Sequence, residues 1–218
     1  MSNPVIVVVG AGPGVSGSVA RRFARDGYDV GLLGIDEDQL VGLGDELRRA
    51  GREVEHAVVD ITDVEAATAA VTRVGERFGR IDVLHFNPSA FRQKDPLTLT
   101  VPELLDDVAL GVGALLTALQ AARPYMSAGA RVTATGSMAA DKPWHEAASL
   151  GVQKAGLRNL VRSIDTTLEP DGIRAVSVTV RGSLAREGRF TPDKVAEAIH
   201  EAAHQDGDFW NVEVPYEG

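Results

Sequence analysis

The chain has 218 residues, with 31 acidic against 22 basic side chains, a formal charge of −9, 44% hydrophobic and 24% charged residues. This is the composition of a globular chain long enough to bury roughly 70% of its unfolded surface. The absence of cysteine excludes disulfide frameworks, thiolate nucleophiles and Cys-ligated metals, and an acidic balance without a Lys/Arg block argues against nucleic acid as a partner.

Strand and helix patterns alternate along the chain. Residues 5–9 (Val-Ile-Val-Val-Val) read as a β-branched strand that runs into Gly10. Val19, Ala20, Phe23 and Ala24 recur at helical spacing over 16–25, stopped by Asp26-Gly27. A second strand is predicted over 28–33, a second helix over 36–50 from Leu40, Leu43 and Leu47, and a third strand over 54–59. Thr62 is the expected cap of a helix carrying Val64, Ala67, Val71, Val74 and Phe78. There follow a fourth strand over 81–86, a long helix over 101–126 and a fifth strand over 130–135. A second long helix over 146–168 is closed by Glu169-Pro170-Asp171-Gly172. A sixth strand over 173–180, a helix over 192–204 and a final strand over 209–214 complete the pattern.

This alternation implies an α/β architecture: a mainly parallel, seven-stranded, doubly wound sheet in a three-layer fold with helices on both faces. The first strand is apolar throughout, as expected when both of its faces are covered. No repeat, low-complexity segment or Gly/Ser linker divides the chain, so one domain over 1–218 is expected. The early apolar run is far short of a membrane span, and no basic-then-apolar leader opens the chain. A cytoplasmic protein without a membrane partner is the expectation.

The first strand leads through Gly10-Ala11-Gly12-Pro13-Gly14-Val15-Ser16-Gly17 into the first helix. Glycines at such a turn let the backbone approach a ligand closely, and the helix N-terminus offers free N–H groups to a phosphate. A dinucleotide site is the reading, with a purely structural tight turn as the alternative.

With four further segments, this turn resembles the short-chain dehydrogenase/reductase family over nearly the whole chain. The segments are Asp60-Ile61 after strand three, Asn87-Pro88 after strand four, Ser137, and Leu150-Gly151-Val152-Gln153-Lys154. Ser16 stands at the third glycine of the family's turn, Asn87 alone remains of its Asn-Asn-Ala-Gly, and Ser137 falls thirteen residues before Leu150. The resemblance implies a Rossmann-like fold, a nicotinamide dinucleotide (NAD or NADP), and a small carbonyl or alcohol as substrate. It implies cofactor contacts from Gly10, Pro13, Gly14, Val15, Ile35, Asp60, Ile61, Asn87, Pro88, Lys154 and Arg181, and catalytic roles for Ser137 and Lys154. It also implies a homodimer or homotetramer built through the two long helices.

The departures are as informative. Leu150 occupies the position of the family's catalytic tyrosine, and Leu110 that of its helix asparagine. Losing a general acid costs about 10²–10⁴ in rate. His145, five residues before Leu150, is the best replacement donor, and a surface loop histidine is its plainer reading. Ser137 and Lys154 have plain readings too, as a strand-end hydroxyl bonding local backbone and a solvated helix lysine. After strand six, Arg181-Gly182 is followed by a substrate lid shortened to residues 183–191. A catalytically inactive dinucleotide-binding or scaffold relative is therefore the alternative to a working oxidoreductase.

At the end of strand two, Gly34 and Ile35 carry neither the acidic marker of NAD nor the arginine of NADP. Asp36 follows, and its charge would repel a 2′-phosphate, a slight lean to NAD; a helix N-cap is its commoner role. Finally, His200-Glu201-Ala202-Ala203-His204 matches a zinc-peptidase pattern, with Asp206, Asp208 or Glu213 as the available third ligand. Solvated helix-end histidines are the simpler reading, and no metal is expected.

Overall fold

A computed structural model describes residues 2–206 and 209–218. Seven strands form one sheet: β1 (Val5–Val9), β2 (Asp29–Gly34), β3 (Val54–Val58), β4 (Val83–Phe86), β5 (Arg131–Ser137), β6 (Arg174–Val180) and β7 (Glu213–Tyr216). Their order is β3-β2-β1-β4-β5-β6-β7, and every pairing is parallel. Parallel neighbours require crossovers, which the helices supply. Helices α1 (Val15–Arg25), α2 (Glu37–Arg49) and α7 (Pro192–Ala203) cover one face. Helices α3 (Val64–Phe78), α5 (Ala114–Ala122) and α6 (Ala148–Leu168) cover the other, with α4 (Val101–Val108) packed on α6.

The strand pattern follows from that double cover. Along β1, Ile6 and Val8 enter the core under α1 and α2, while Val7 and Val9 enter the core under α3 and α5. All five β1 residues are buried, so the run needs no polar alternation.

Helix starts are set by short polar side chains. Asp36, Asp63, Thr100 and Thr191 each accept a backbone N–H in the first turn of α2, α3, α4 and α7. The cap of α3 is thus Asp63 and not Thr62, whose amide and hydroxyl both donate to Asp60 instead. The last strand also differs from expectation: Phe209 and Trp210 precede it, and the indole N–H of Trp210 donates to the Ala175 carbonyl at 3.1 Å. Aromatic bulk there marks packing against Arg131 and Arg174, which stack over the indole ring.

Between α4 and α5, residues Ala109–Gly113 form a π-turn, so the predicted long helix is continuous to Tyr125 but locally widened. The stretch Val101–Tyr125 is long and apolar enough to cross a membrane by length and composition; in this fold it lies along the sheet, with α5 in the core under α3 and α6. At the far edge, Val212 and Tyr216 turn their carbonyls to β6, where they accept from Ser177 and Arg181. Pro215 between them therefore faces outward.

Candidate active site

The carboxyl ends of β4, β5 and β6 and the start of α1 enclose a cleft of about 380 Å³. It lies where the strand order reverses, between β1 and β4, the position at which open parallel sheets bind ligands.

The turn after β1 supplies its floor. Unlike α2, α3, α4 and α7, α1 begins at Gly14 with no side-chain cap and no acidic residue in its first turn. Its leading amides stay open at the positive end of the helix dipole, a donor set suited to phosphate. The glycines divide into two kinds. Gly10 has φ +78°, and a Cβ there would lie 2.7 Å from Pro88 Cγ; at Gly17 it would lie 2.5 Å from the Gly12 carbonyl. At Gly14 it would meet nothing within 4 Å, so the space in front of that amide is clear for a ligand. Ser16, at the third-glycine position, is buried with its hydroxyl 3.5 Å from the Gly12 carbonyl. Pro13 and Gly14 are exposed, and Val15 lines the cleft. The arrangement fits a dinucleotide pyrophosphate.

Toward the adenosine end, Gly34 closes β2 beneath the Ala11 carbonyl, and Ile35 is 79% exposed, an apolar surface free to cover a flat ring. Asp36 accepts from the Gln39 amide at 3.0 Å and from its side chain at 2.8 Å. The hydroxyl and amide of Thr62 hold the Asp60 carboxyl below its ordinary range, while Ile61 is buried beside it.

Toward the nicotinamide end, Ser137 and Lys154 both line the cleft. Lys154 is not a solvated helix lysine: it is buried, and Nζ donates to the Thr135 carbonyl at 2.8 Å. Burial lowers its pKa to about 8. Ser137 shows its strand-end reading, since its hydroxyl oxygen accepts the Ala139 N–H at 3.2 Å; its hydroxyl proton is left to donate into the cleft. The Thr135 hydroxyl donates to Asn87 Oδ1 at 2.7 Å, which leaves the Asn87 amide N–H groups for a ligand. Deeper in β4, His85 is fully buried with Nδ1 2.9 Å from the Thr133 hydroxyl. Burial and then the Lys154 charge lower its pKa to about 3.

Leu150 also lines this cleft, one helical turn before Lys154. None of the three tyrosines does: Tyr28 packs on Phe23, Tyr125 lies over Gly75, and Tyr216 packs on Phe190. His145 is exposed in the turn before α6, outside the cleft. Leu110 lies in the π-turn, half-buried against the core. Arg181 turns away: its guanidinium pairs with Glu217 at 2.9 Å and lines a separate groove with Asp141 and Arg158. Its link to the cleft is its backbone, between the lining residues Val180 and Gly182.

The segment 183–191 folds back on the sheet edge. The Tyr216 hydroxyl donates to the Arg189 carbonyl at 2.7 Å, and Phe190 meets the Tyr216 ring edge-on. Its Leu184 and, opposite, Phe91 are the exposed apolar walls of the cleft. Sequence reasoning missed Phe91, Leu184 and Thr135, the partner of the expected Asn87, because loop side chains and strand-end hydroxyls carry no periodic signal.

The histidine pair is occupied otherwise. His200 Nε2 lies 2.7 Å from the Asp26 carboxylate, and His204 Nδ1 lies 2.8 Å from the His200 carbonyl. Glu213 is held by Thr179, Arg158 and Arg162, and Asp208 lies outside the described residues. Among the described residues, no three His, Asp or Glu side chains gather as a ligand set.

Residues 4–184 match the family model for short chain dehydrogenases. An A-factor type γ-butyrolactone 1′-reductase (1S-forming) from Streptomyces virginiae is 27% identical over 212 residues, covering 94% of this chain and 82% of that protein. Sulfoacetaldehyde reductase 2 from Chromohalobacter salexigens is 26% identical, covering 80% of this chain and 70% of its own. A short chain dehydrogenase from Burkholderia cenocepacia, solved in complex with NADP, superposes with a TM-score of 0.91 at 25% identity, covering 99% and 96% of the two chains. A metagenomic short-chain oxidoreductase in complex with NADP superposes with a TM-score of 0.86 at 27% identity, covering 97% and 96%.

Proposed function

The chain belongs to the short-chain dehydrogenase family, and from that premise we propose that it is a nicotinamide-dinucleotide-dependent oxidoreductase of small carbonyl compounds or alcohols. The observation that carries the reading is the convergence of an uncapped α1 N-terminus, the Ser137 hydroxyl and the buried Lys154 amine on one cleft. The amides of Gly12, Gly14 and Val15 hold the pyrophosphate, while Gly10, whose own amide is bonded to the Leu33 carbonyl, and Pro13, which has no amide proton, shape the turn. Ile35, Asp60 and Ile61 frame the adenosine, and Asn87, Pro88 and Lys154 the nicotinamide ribose. The bound coenzyme supplies the hydride. Ser137 makes a hydrogen bond from its free hydroxyl to the substrate oxygen, and Phe91 and Leu184 keep water from the reacting face.

NAD is the preferred form in this reading, although two solved relatives are complexes with NADP. The support is Asp36, whose carboxylate at the end of β2 opposes a 2′-phosphate. Assembly as a homodimer or homotetramer through the long helices is supported by the exposed Val101, Leu105 and Leu116 on α4 and α5 and Val152 on α6.

Leu150 favours one second reading, a relative that binds the dinucleotide without turnover. A titration of reduced nicotinamide fluorescence, followed by a carbonyl panel with the native chain and Ser137→Ala, decides. Binding together with turnover that is lost in Ser137→Ala supports the enzyme. Binding without turnover supports the second reading, and no binding at millimolar dinucleotide overturns both.

A further inference from the structure

Carbonyl reduction needs a proton as well as a hydride, and the cleft position one turn before Lys154 is filled by Leu150, which has none to give. We propose that Lys154 is itself the acid that protonates the substrate oxygen, and the base that removes the proton in the reverse direction. The inference rests on the oxidoreductase reading.

The geometry leaves Lys154 as the titratable side chain that lines the cleft; its neighbours there are hydroxyl, amide and apolar groups. Nζ spends one N–H on the Thr135 carbonyl, so two remain in the ammonium form. The charged groups of the surrounding elements are already committed. Arg158, one turn further along α6, is held by Asp141 and Glu213. Arg181, after β6, is held by Glu217. Asp107, packed on the start of α6, is held by Arg92 and Ser149. His85 on β4 is buried and neutral. Among the described residues no carboxylate lines the cleft to stabilise the ammonium, and desolvation brings its pKa to about 8, close to the working pH of an effective general acid. A lysine shifted by burial is suited to such transfer because its compact charge is sensitive to solvent.

The step balances. The substrate carbonyl carbon gains a hydride from the reduced nicotinamide dinucleotide, and the C=O π pair passes to oxygen. That oxygen bonds a proton from Lys154, and the N–H bonding pair stays on nitrogen. The products are the alcohol, the oxidised dinucleotide and a neutral amine, which recovers a proton from water.

Three measurements test this. In the native chain, kcat for reduction should be level below about pH 8 and fall about tenfold per unit above it. Lys154→Arg keeps the charge and a donor for Thr135 but does not release a proton in this range; kcat at saturating reduced dinucleotide should fall about 10²–10⁴-fold. Lys154 is one of four lysines, so its ¹³Cε resonance can be followed in the labelled native chain without any substitution. Its midpoint should lie at about 8. A midpoint at an ordinary lysine value of about 10.4, a flat pH profile, or full kcat in Lys154→Arg overturns the inference while coenzyme binding stands. Binding without turnover on the carbonyl panel also overturns it, and a chain that binds no dinucleotide loses the oxidoreductase reading with it.

Discussion

The side-chain amide of Gln153 pairs with the backbone of Ala90 in both directions: the Ala90 N–H donates to Oε1 at 3.0 Å, and Nε2 donates to the Ala90 carbonyl at 3.2 Å. Gln153 is fully buried, and its room comes from the π-turn, where a Cβ on Gly111 would lie 2.5 Å from Oε1. The widened helix thus admits the side chain that fixes the segment bearing Ser89 and Phe91. Gln153→Ala should lose about 2–4 kcal/mol from the cavity and the unpaired Ala90 groups. Gly111→Ala should be destabilising alone and much less so in the Gln153→Ala background. Urea denaturation of the four-member cycle measures that coupling.

The two kinds of glycine in the turn should separate folding from binding. Gly14→Ala meets no protein atom, so its melting temperature should match the native value within a degree or two, while dinucleotide affinity falls about tenfold or more as the methyl group enters the phosphate space. Gly17→Ala drives a Cβ against the Gly12 carbonyl and should cost about 1–3 kcal/mol of stability whether or not ligand is present.

Acid should loosen the segment between β4 and α4. The Lys94 ammonium, with the Thr100 cap, lowers the Glu103 pKa from 4.5 to about 2. Burial pushes the Asp107 carboxyl up, but Arg92 and Ser149 outweigh it and the net direction is down. A carboxylate with a lowered folded pKa contributes stability that is present above its unfolded pKa and is lost as pH falls through the folded one. The urea midpoint should therefore decline from about pH 4.5 toward about pH 2, and Glu103→Gln should flatten that decline. An unchanged decline in the variant would assign it to other carboxylates.

The His200–His204 pair should ignore zinc. With His200 against Asp26 and His204 turned to the His200 carbonyl, equimolar zinc should leave the melting temperature unchanged, whereas a folded-state ligand at 100 times its dissociation constant would add about 2.7 kcal/mol. Burial, with the His204 charge, holds His200 below its ordinary value of 6.5. Its stabilising effect is thus present above about pH 6.5 and fades on acidification.

The sheet was readable in the sequence because parallel strands covered on both faces leave unbroken β-branched runs, as in residues 5–9, and because glycine punctuates their ends. The final strand was misplaced since Phe209 and Trp210 look like strand residues, yet Trp210 serves as a plate under two arginines. Thr62 and Asp63 compete for one cap, and the choice depends on Asp60 drawing Thr62 away. At the site, the glycine turn was legible from its place between a strand and a helix, and Ser137 and Lys154 from the family resemblance. The direction of Arg181 was not, because Glu217 lies 36 residues downstream in the chain and meets it only once β7 is laid beside β6. The burial of Lys154 and the staple by Gln153 are likewise products of how α6 packs.

Pro215 has a consequence for growth of the sheet. An outward-facing proline offers no amide to an incoming strand, and it leaves Glu213 as the single outward donor in a four-residue edge. A foreign β-segment laid along that rim would find an incomplete ladder, so the sheet is closed to templated extension there. Copies that meet at this rim must recognise one another through side chains.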